Sequence, residues 1–433
     1  MMKRCRAYLV VILIAATLLS ACEVPPCPIV IPTEDTAVSP DSETYSSGSD
    51  ESEGETGNTD AGETGNTYET DSKGGADGTY GSSSSESAEG TIADYDAGNT
   101  KYYAYSTLDD SDKAVYDCMY EAMRDLHKET IIPTTDETGL DKIFTCVNDD
   151  HPELFYVNGF KYVKYTLAGI VKKIVMQPAY TMDSDEVISK RSQIDEYVSK
   201  CLSGVPDGGD DYDKIKYIYE YLIQNTDYRL GAQNNQNICS VFITKESVCQ
   251  GYSKATQYLL QKLGIEAVTV DGNANGVPHA WNVVKSDGNW YYLDTTWGDA
   301  EYQKKQGEAS EASFDVINYD YLCVTGDDIM RTHTVDHKFS LPDCTANADN
   351  YYIREDLYFT GTDKDKLKDI FSKARQNGEK EVRFRCSDKN VYDEMYKYLI
   401  TDQKIFGLIG QSGKTITYVN SPETYTYGFW IDE

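Results

Sequence analysis

The stretch SVCQGYSKATQYLLQKLG, Ser247 to Gly264, decides how this chain is read. Tyr252, Ala255, Leu259 and Leu263 recur at helical spacing, and Gly264 ends the run as glycine commonly does one step past a helix. Cys249 then falls in the first helical turn or just ahead of it. Unpaired backbone N–H groups and the positive end of the helix dipole face that position. Both favour a thiolate, which is the nucleophilic form of cysteine. The same N–H groups are suited to hold an oxyanion on a carbonyl under attack. An inert buried thiol and a disulfide with Cys239 are the alternatives.

A nucleophilic thiol needs a base. The chain has five histidines: His127, His151, His279, His333 and His337. His279 lies in GVPHAWNVVKSDGNWYYLDTTWGD, where Asp287-Gly288 marks a hairpin turn between two alternating segments. With Ser286 opposite Asn289, Lys285 faces Trp290, Val283 faces Tyr292, Trp281 faces Asp294 and His279 faces Thr296. His279 and Asp294 then share one face as diagonal neighbours, roughly 7–8 Å apart by Cα. That separation suits an imidazole oriented by a carboxylate. A three-residue turn would reverse the parity and break the pairing. Trp281, Trp290 and Trp297 read as packing residues, and Asp299 as a turn or cap residue rather than the acid. His333 and His337 lie four apart, but no HExxH glutamate accompanies them. Thr334 and Val335 are poor helix formers, so this stretch reads as loop.

A thiol at a helix start, then a histidine and an aspartate on paired strands, are carried on SVCQGYSKATQYLLQKLGI, HAWNVV and WYYLDTTWGD. Together they resemble the transglutaminase-like family of papain-type thiol enzymes, over roughly residues 210–299. HPELFYVNGF upstream and NYDYLCVTGDDIMRTHTVDH downstream are similar to segments that accompany this domain in bacterial surface lipoproteins. The resemblance implies an α+β fold whose core packs a helix with an N-terminal cysteine on an antiparallel sheet, flanked by smaller α+β regions. It implies Cys249 as nucleophile, His279 as base and Asp294 as orienting acid. A second oxyanion donor does not carry over; Gln236 and Asn237 in the upstream loop are candidates without an assignment.

The chemistry so implied is acyl transfer on peptide or protein amides through a thioester. With water as acceptor the enzyme is a peptidase or amidase. With a lysine amine it forms an isopeptide crosslink. Hydrolysis ranks slightly ahead, because water is abundant and no amine site is visible. A non-catalytic surface binding or adhesive module is the other reading, since one fold hosts several functions. No cofactor is expected. No CxxC pair and no EF-hand loop occurs, so no metal site is expected either.

The rest of the 433 residues gives the setting. The formal charge of −32, with no Lys/Arg run, excludes a nucleic-acid track. Tyrosine is unusually common, at 36 residues against 11 phenylalanines, a bias that suits folds outside the cell. Residues 1–22 have a basic start, an apolar run too short for a comfortable span, and the ending Leu19-Ser20-Ala21-Cys22. This resembles a lipoprotein signal, which implies lipidation at Cys22 and a membrane-anchored protein on the outer face of a bacterial cell membrane. Peptide or protein of the wall or surface is then the expected substrate.

Residues 23–100 are acidic and rich in Ser, Gly and Thr, with GETGNT twice, and read as a disordered tether. An N-terminal α+β region over 101–205, the transglutaminase-like catalytic region over 206–345 and a C-terminal α+β region of open role over 346–433 follow. Of 11 cysteines, Cys5 leaves with the signal and Cys22 carries lipid. The odd remainder leaves at least one thiol free, with Cys249 the candidate.

Overall fold

The computed structural model describes residues 42–48, 102–299, 317–409 and 416–431. The expected signal peptide with Cys22 lies outside them, and so does the tether apart from 42–48. That short piece, β1 (Ser42–Gly48), is paired rather than structureless, and forms an edge strand. Among the described residues no helix is long and apolar enough to cross a membrane.

The first folded region holds α1 (Tyr103–Ser106), α2 (Asp110–Arg124), β2 (Thr130–Ile132), α3 (Leu140–Asp150), β3 (Val157–Leu167), β4 (Ile170–Tyr180) and α4 (Ser184–Leu202). Asp109 caps α2 by accepting from the backbone N–H groups of Ser111 and Asp112. The antiparallel sheet runs β1-β3-β4-β2. Ala168 and Gly169, both at positive φ, make the turn between β3 and β4. Asn158-Gly159 does not turn: β3 runs through it, with a bulge between Val157 and Gly159. β4 is long enough to pair with the whole of β3, so the permissive dipeptide is absorbed as an irregularity.

The second region holds α5 (Asp211–Asn225), β5 (Asp227–Tyr228), β6 (Glu246–Ser247), α6 (Cys249–Lys262), β7 (Ala267–Ala274), β8 (Val277–Ser286), β9 (Asn289–Leu293), α7 (Thr295–Gly298) and β10 (His333–Val335). Asp210 and Asp213 close a capping box at the start of α5. The sheet is antiparallel in the order β10-β7-β8-β9, and α6 lies on β7 and β8. Helices and antiparallel strands are segregated, which is the α+β class the sequence implies.

α6 is buried on almost every face rather than along one stripe. It sits between the β7–β8 sheet, α5 and the first region. Its inward polar groups are therefore all paired. Gln257 accepts from Thr269 N and Oγ1 and donates to the Asp149 carbonyl, and Gln261 donates to the Asp150 carbonyl. One apolar core runs from Ala104 to Phe339 across both regions.

The C-terminal region has its own core around Phe371, Phe384 and Phe429, under a sheet of β11 (Tyr358–Phe359), β12 (Glu381–Cys386), β13 (Tyr418–Ser421) and β14 (Thr426–Trp430). It docks through buried polar groups. Asp320 accepts from Tyr352 Oη at 2.5 Å and from the Thr424 and Thr426 hydroxyls at 2.8 Å each. Arg385 pairs with Asp328 at 2.5 Å.

Candidate active site

Cys249 is the first residue of α6, and Val248 at the N-cap offers no side-chain cap. The first-turn N–H groups thus have no side-chain acceptor beside the thiol. The loop before β6 lies hard against this turn. A Cβ on Gly251 would sit 2.0 Å from Ser247 Oγ, 2.6 Å from Ser240 Oγ and 3.0 Å from the Asn235 carbonyl. The two serine hydroxyls are hydrogen-bonded to each other at 2.6 Å and buried, so they cannot swing away. Gly251→Ala is therefore expected to cost roughly 1–3 kcal/mol of stability by overpacking. Urea denaturation of the variant measures this, and an unchanged midpoint would mean the loop yields freely.

The hairpin that carries His279 has the expected register. Ser286 faces Asn289, Lys285 faces Trp290 and Val283 faces Tyr292. Asp287 and Gly288 both adopt positive φ, 45° and 87°, as a two-residue hairpin turn requires. The ladder ends at Asn282–Leu293, one pair short of the Trp281–Asp294 pair anticipated from parity. Asp294 instead leaves the strand and becomes the N-cap of α7, where Oδ1 accepts from Trp297 N at 3.0 Å. From there Asp294 Oδ2 reaches the imidazole: His279 Nε2 lies 2.8 Å from it. The other ring nitrogen of His279 is not engaged by Asp294, and the Cys249 sulfur is near enough to act on the ring.

All three groups are buried; Cys249 is 2%, His279 8% and Asp294 0% exposed. Burial opposes charge on His279, but the Asp294 carboxylate and then the Cys249 sulfur outweigh it and push the imidazole up to about 10. Burial likewise opposes charge on Asp294, yet His279 and then His333 hold its carboxyl well below the usual carboxylate range.

His333 is the site residue that sequence reasoning missed. It lies in β10, not in a loop, and its Nε2 is 3.1 Å from the same Asp294 Oδ2. β10 pairs with β7 with Val335 opposite Gly272. A Cβ on Gly272 would meet the Thr334 carbonyl at 2.1 Å, so the glycine is what admits this strand. The signal was present in Thr334 and Val335, whose β-branched side chains disfavour helix and suit a strand. Trp281 and Trp297 pack around the two imidazoles, with centroids 4.9 Å and 4.7 Å from His333. Trp290 packs edge-on against Tyr103.

Asp299 ends α7 and accepts from the buried Tyr252 hydroxyl at 3.0 Å, as suits a structural residue. Cys239 and Cys249 carry free thiols, which removes the disulfide alternative. Asn237 Oδ1 accepts from Cys239 N, and Gln236 Nε2 donates to Asn235 Oδ1. Among the described residues, His279, Asp294 and His333 are the group whose ligand atoms converge as a metal site would need, within 4.8 Å of one another. Hydrogen bonding of both rings to one carboxylate oxygen accounts for that convergence.

Residues 203–295 match the family model of the transglutaminase-like superfamily. The chain carries a transglutaminase-like domain. Members of that superfamily are usually cysteine-dependent enzymes. The chain is 23% identical over 128 residues to the human kyphoscoliosis peptidase, and the mouse protein matches equally. The match takes in 26% of this chain and 19% of the human protein's length, so the chain spans about a fifth of these relatives. Among solved structures, a TGase overlaps 43% of this chain and 53% of its own at 15% identity and a TM-score of 0.25. A proposed cysteine protease of Cytophaga hutchinsonii overlaps 31% and 60% at 17% identity and a TM-score of 0.22. Overlaps this partial do not bear on the site of the transglutaminase-like domain.

Proposed function

We propose that the transglutaminase-like domain performs acyl transfer on peptide or protein amides, with Cys249 as nucleophile, His279 as general acid and base, and Asp294 as its orienting acid. The observation that carries this reading is His279, held 2.8 Å from Asp294 and raised also by the sulfur of a thiol at the start of α6. An imidazolium facing Sγ favours the thiolate. Sγ attacks the carbonyl carbon, and the electron pair moves to oxygen, beside the uncapped first-turn N–H groups. The C–N bond then breaks as His279 protonates the leaving amine, which leaves a thioester. Water or an amine attacks the thioester, gives its proton to His279 and releases Cys249. Hydrolysis is ranked ahead of crosslinking on the abundance of water. The sequence of residues 1–22 supports export and a lipid anchor at Cys22, which would bring wall or surface peptide within reach.

One observation favours a second reading, a surface binding module without turnover. The thiol is only 2% exposed, so a substrate must displace something to reach it.

The alkylation rate of Cys249 by iodoacetamide against pH, followed by peptide mass mapping, separates the two. Wild type is expected to react fast near neutral pH and His279→Ala to slow to the rate of an ordinary thiol. Equal rates in both proteins would sink the triad.

A further inference from the structure

We propose that His333 is a positioning residue of this site, a second imidazole that shares the orienting carboxylate with His279 and moderates its hold on that ring. The inference rests on the triad reading above and extends it to a fourth residue.

The geometry is that of one oxygen with two donors. Asp294 Oδ2 is 2.8 Å from His279 Nε2 and 3.1 Å from His333 Nε2, while Oδ1 is occupied by Trp297 N. An ionised carboxylate only accepts, so both Nε2 atoms must carry hydrogen. Burial holds His333 towards the neutral form, with the Asp294 bond acting against it. A neutral ring protonated on Nε2 has a bare Nδ1. Thr332 Oγ1 lies 2.8 Å from that Nδ1 and 3.3 Å from the Ile329 carbonyl, and its one hydrogen goes to the ring, the shorter contact, when Nδ1 is bare. The titratable groups facing His333 are thus Asp294, His279 and Tyr321. Trp281 and Trp297 close the remaining sides with uncharged rings.

Two consequences follow for His279. First, three hydrogen bonds on a carboxylate with no solvent contact fix its rotation, and so fix the ring that depends on it. Second, the His333 donor draws charge from the oxygen that stabilises the His279 imidazolium. Without it the imidazolium would be held more tightly, and the Cys249–His279 ion pair would persist over a wider pH range. Acid–base catalysis is best served by a proton that can leave as well as arrive, so a moderated hold favours turnover. This role differs from simple packing, which predicts no change in titration.

The test is the pH profile of Cys249 alkylation in wild type, His279→Ala, His333→Leu and His333→Gln, with thermal unfolding of each. In His333→Leu the upper inflection of the profile, where His279 loses its proton, is expected to rise by roughly one pH unit while the lower one stays, so the two move apart. His333→Gln, which keeps an amide N–H near the position of Nε2, is expected to restore most of the wild-type profile. A folded His333→Leu with unmoved or converging inflections overturns the proposal. If His279→Ala reacts like wild type, the triad itself has failed. If His279→Ala slows but His333→Leu leaves the profile unchanged, only the role of His333 has failed.

Should His333→Leu not fold, the wild type decides through ¹⁵N-labelled histidine. His333 is expected as the Nε2–H tautomer with bare Nδ1 from about pH 5 to about pH 9. An Nδ1–H tautomer, or proton uptake by His333 in that range, overturns the proposal.

Discussion

Cys249→Ala is expected to abolish turnover while leaving the fold in place. Loss of the nucleophile of a catalytic triad costs roughly 10⁶-fold, because the remaining members act only through it. The side chain itself is small, and removing its sulfur leaves a gap the first turn of α6 can tolerate. The measurement is twofold: release of new amino termini from a bacterial surface peptide pool, and incorporation of a biotinylated amine into casein. Loss of the first signal in the variant marks a hydrolase, and loss of the second marks a crosslinking enzyme. If surface binding is observed and is the same in both proteins, with neither chemical signal in wild type, the non-catalytic reading stands instead.

The second large effect is expected at Asp294. Asp294→Ala removes the shared acceptor of two buried imidazoles and the cap of α7 in one step. One of those rings, His279, is raised towards its charged form by this same carboxylate. Stripping the partner from a buried charge costs about 3–5 kcal/mol. The variant is therefore expected to unfold at markedly lower urea than wild type. Asp294→Asn separates shape from charge. Its amide oxygen can still accept from Trp297 N, but its NH₂ meets two Nε2–H groups that also donate. At least one ring must change tautomer, and activity is expected to fall by roughly 10⁴-fold, as when an orienting carboxylate is amidated in other triads. Alkylation kinetics and urea midpoints on the two variants check both effects. An Asp294→Ala protein as stable and as reactive as wild type would refute the assignment.

Much of this site was legible because short-range rules controlled it. Tyr252, Ala255 and Leu259 set the period of α6, and the Asp287-Gly288 turn set the hairpin register, so Cys249 and His279 could be placed from local spacing. Asp294 was named for a reason only partly correct. Parity put it on the same face as His279, but the strand stops at Leu293, and a cap interaction turns the chain there. His333 was not legible in this way. Its place depends on a three-residue strand pairing with β7 across 59 residues of chain and on the missing Cβ of Gly272, both tertiary facts. The same limit explains α6. A stripe of apolar residues looked like one buried face, whereas Gln257 and Gln261 are buried too, satisfied by carbonyls from the distant end of α3. Asn158-Gly159 shows the converse, a local turn preference overridden by the pairing of two long strands.

The carboxylate of Asp320 gives the C-terminal region a meaning beyond an appendage. All three of its hydroxyl donors, Tyr352, Thr424 and Thr426, belong to that region, while Asp320 itself lies on the chain between Asp294 and His333. A chain cut after residue 345 would strand a buried acid with every partner gone. It would also loosen the segment that connects the two residues flanking His279. The C-terminal region and the thiol site are thus tied through Asp320, and trimming the protein to its family-matched segment would remove that tie.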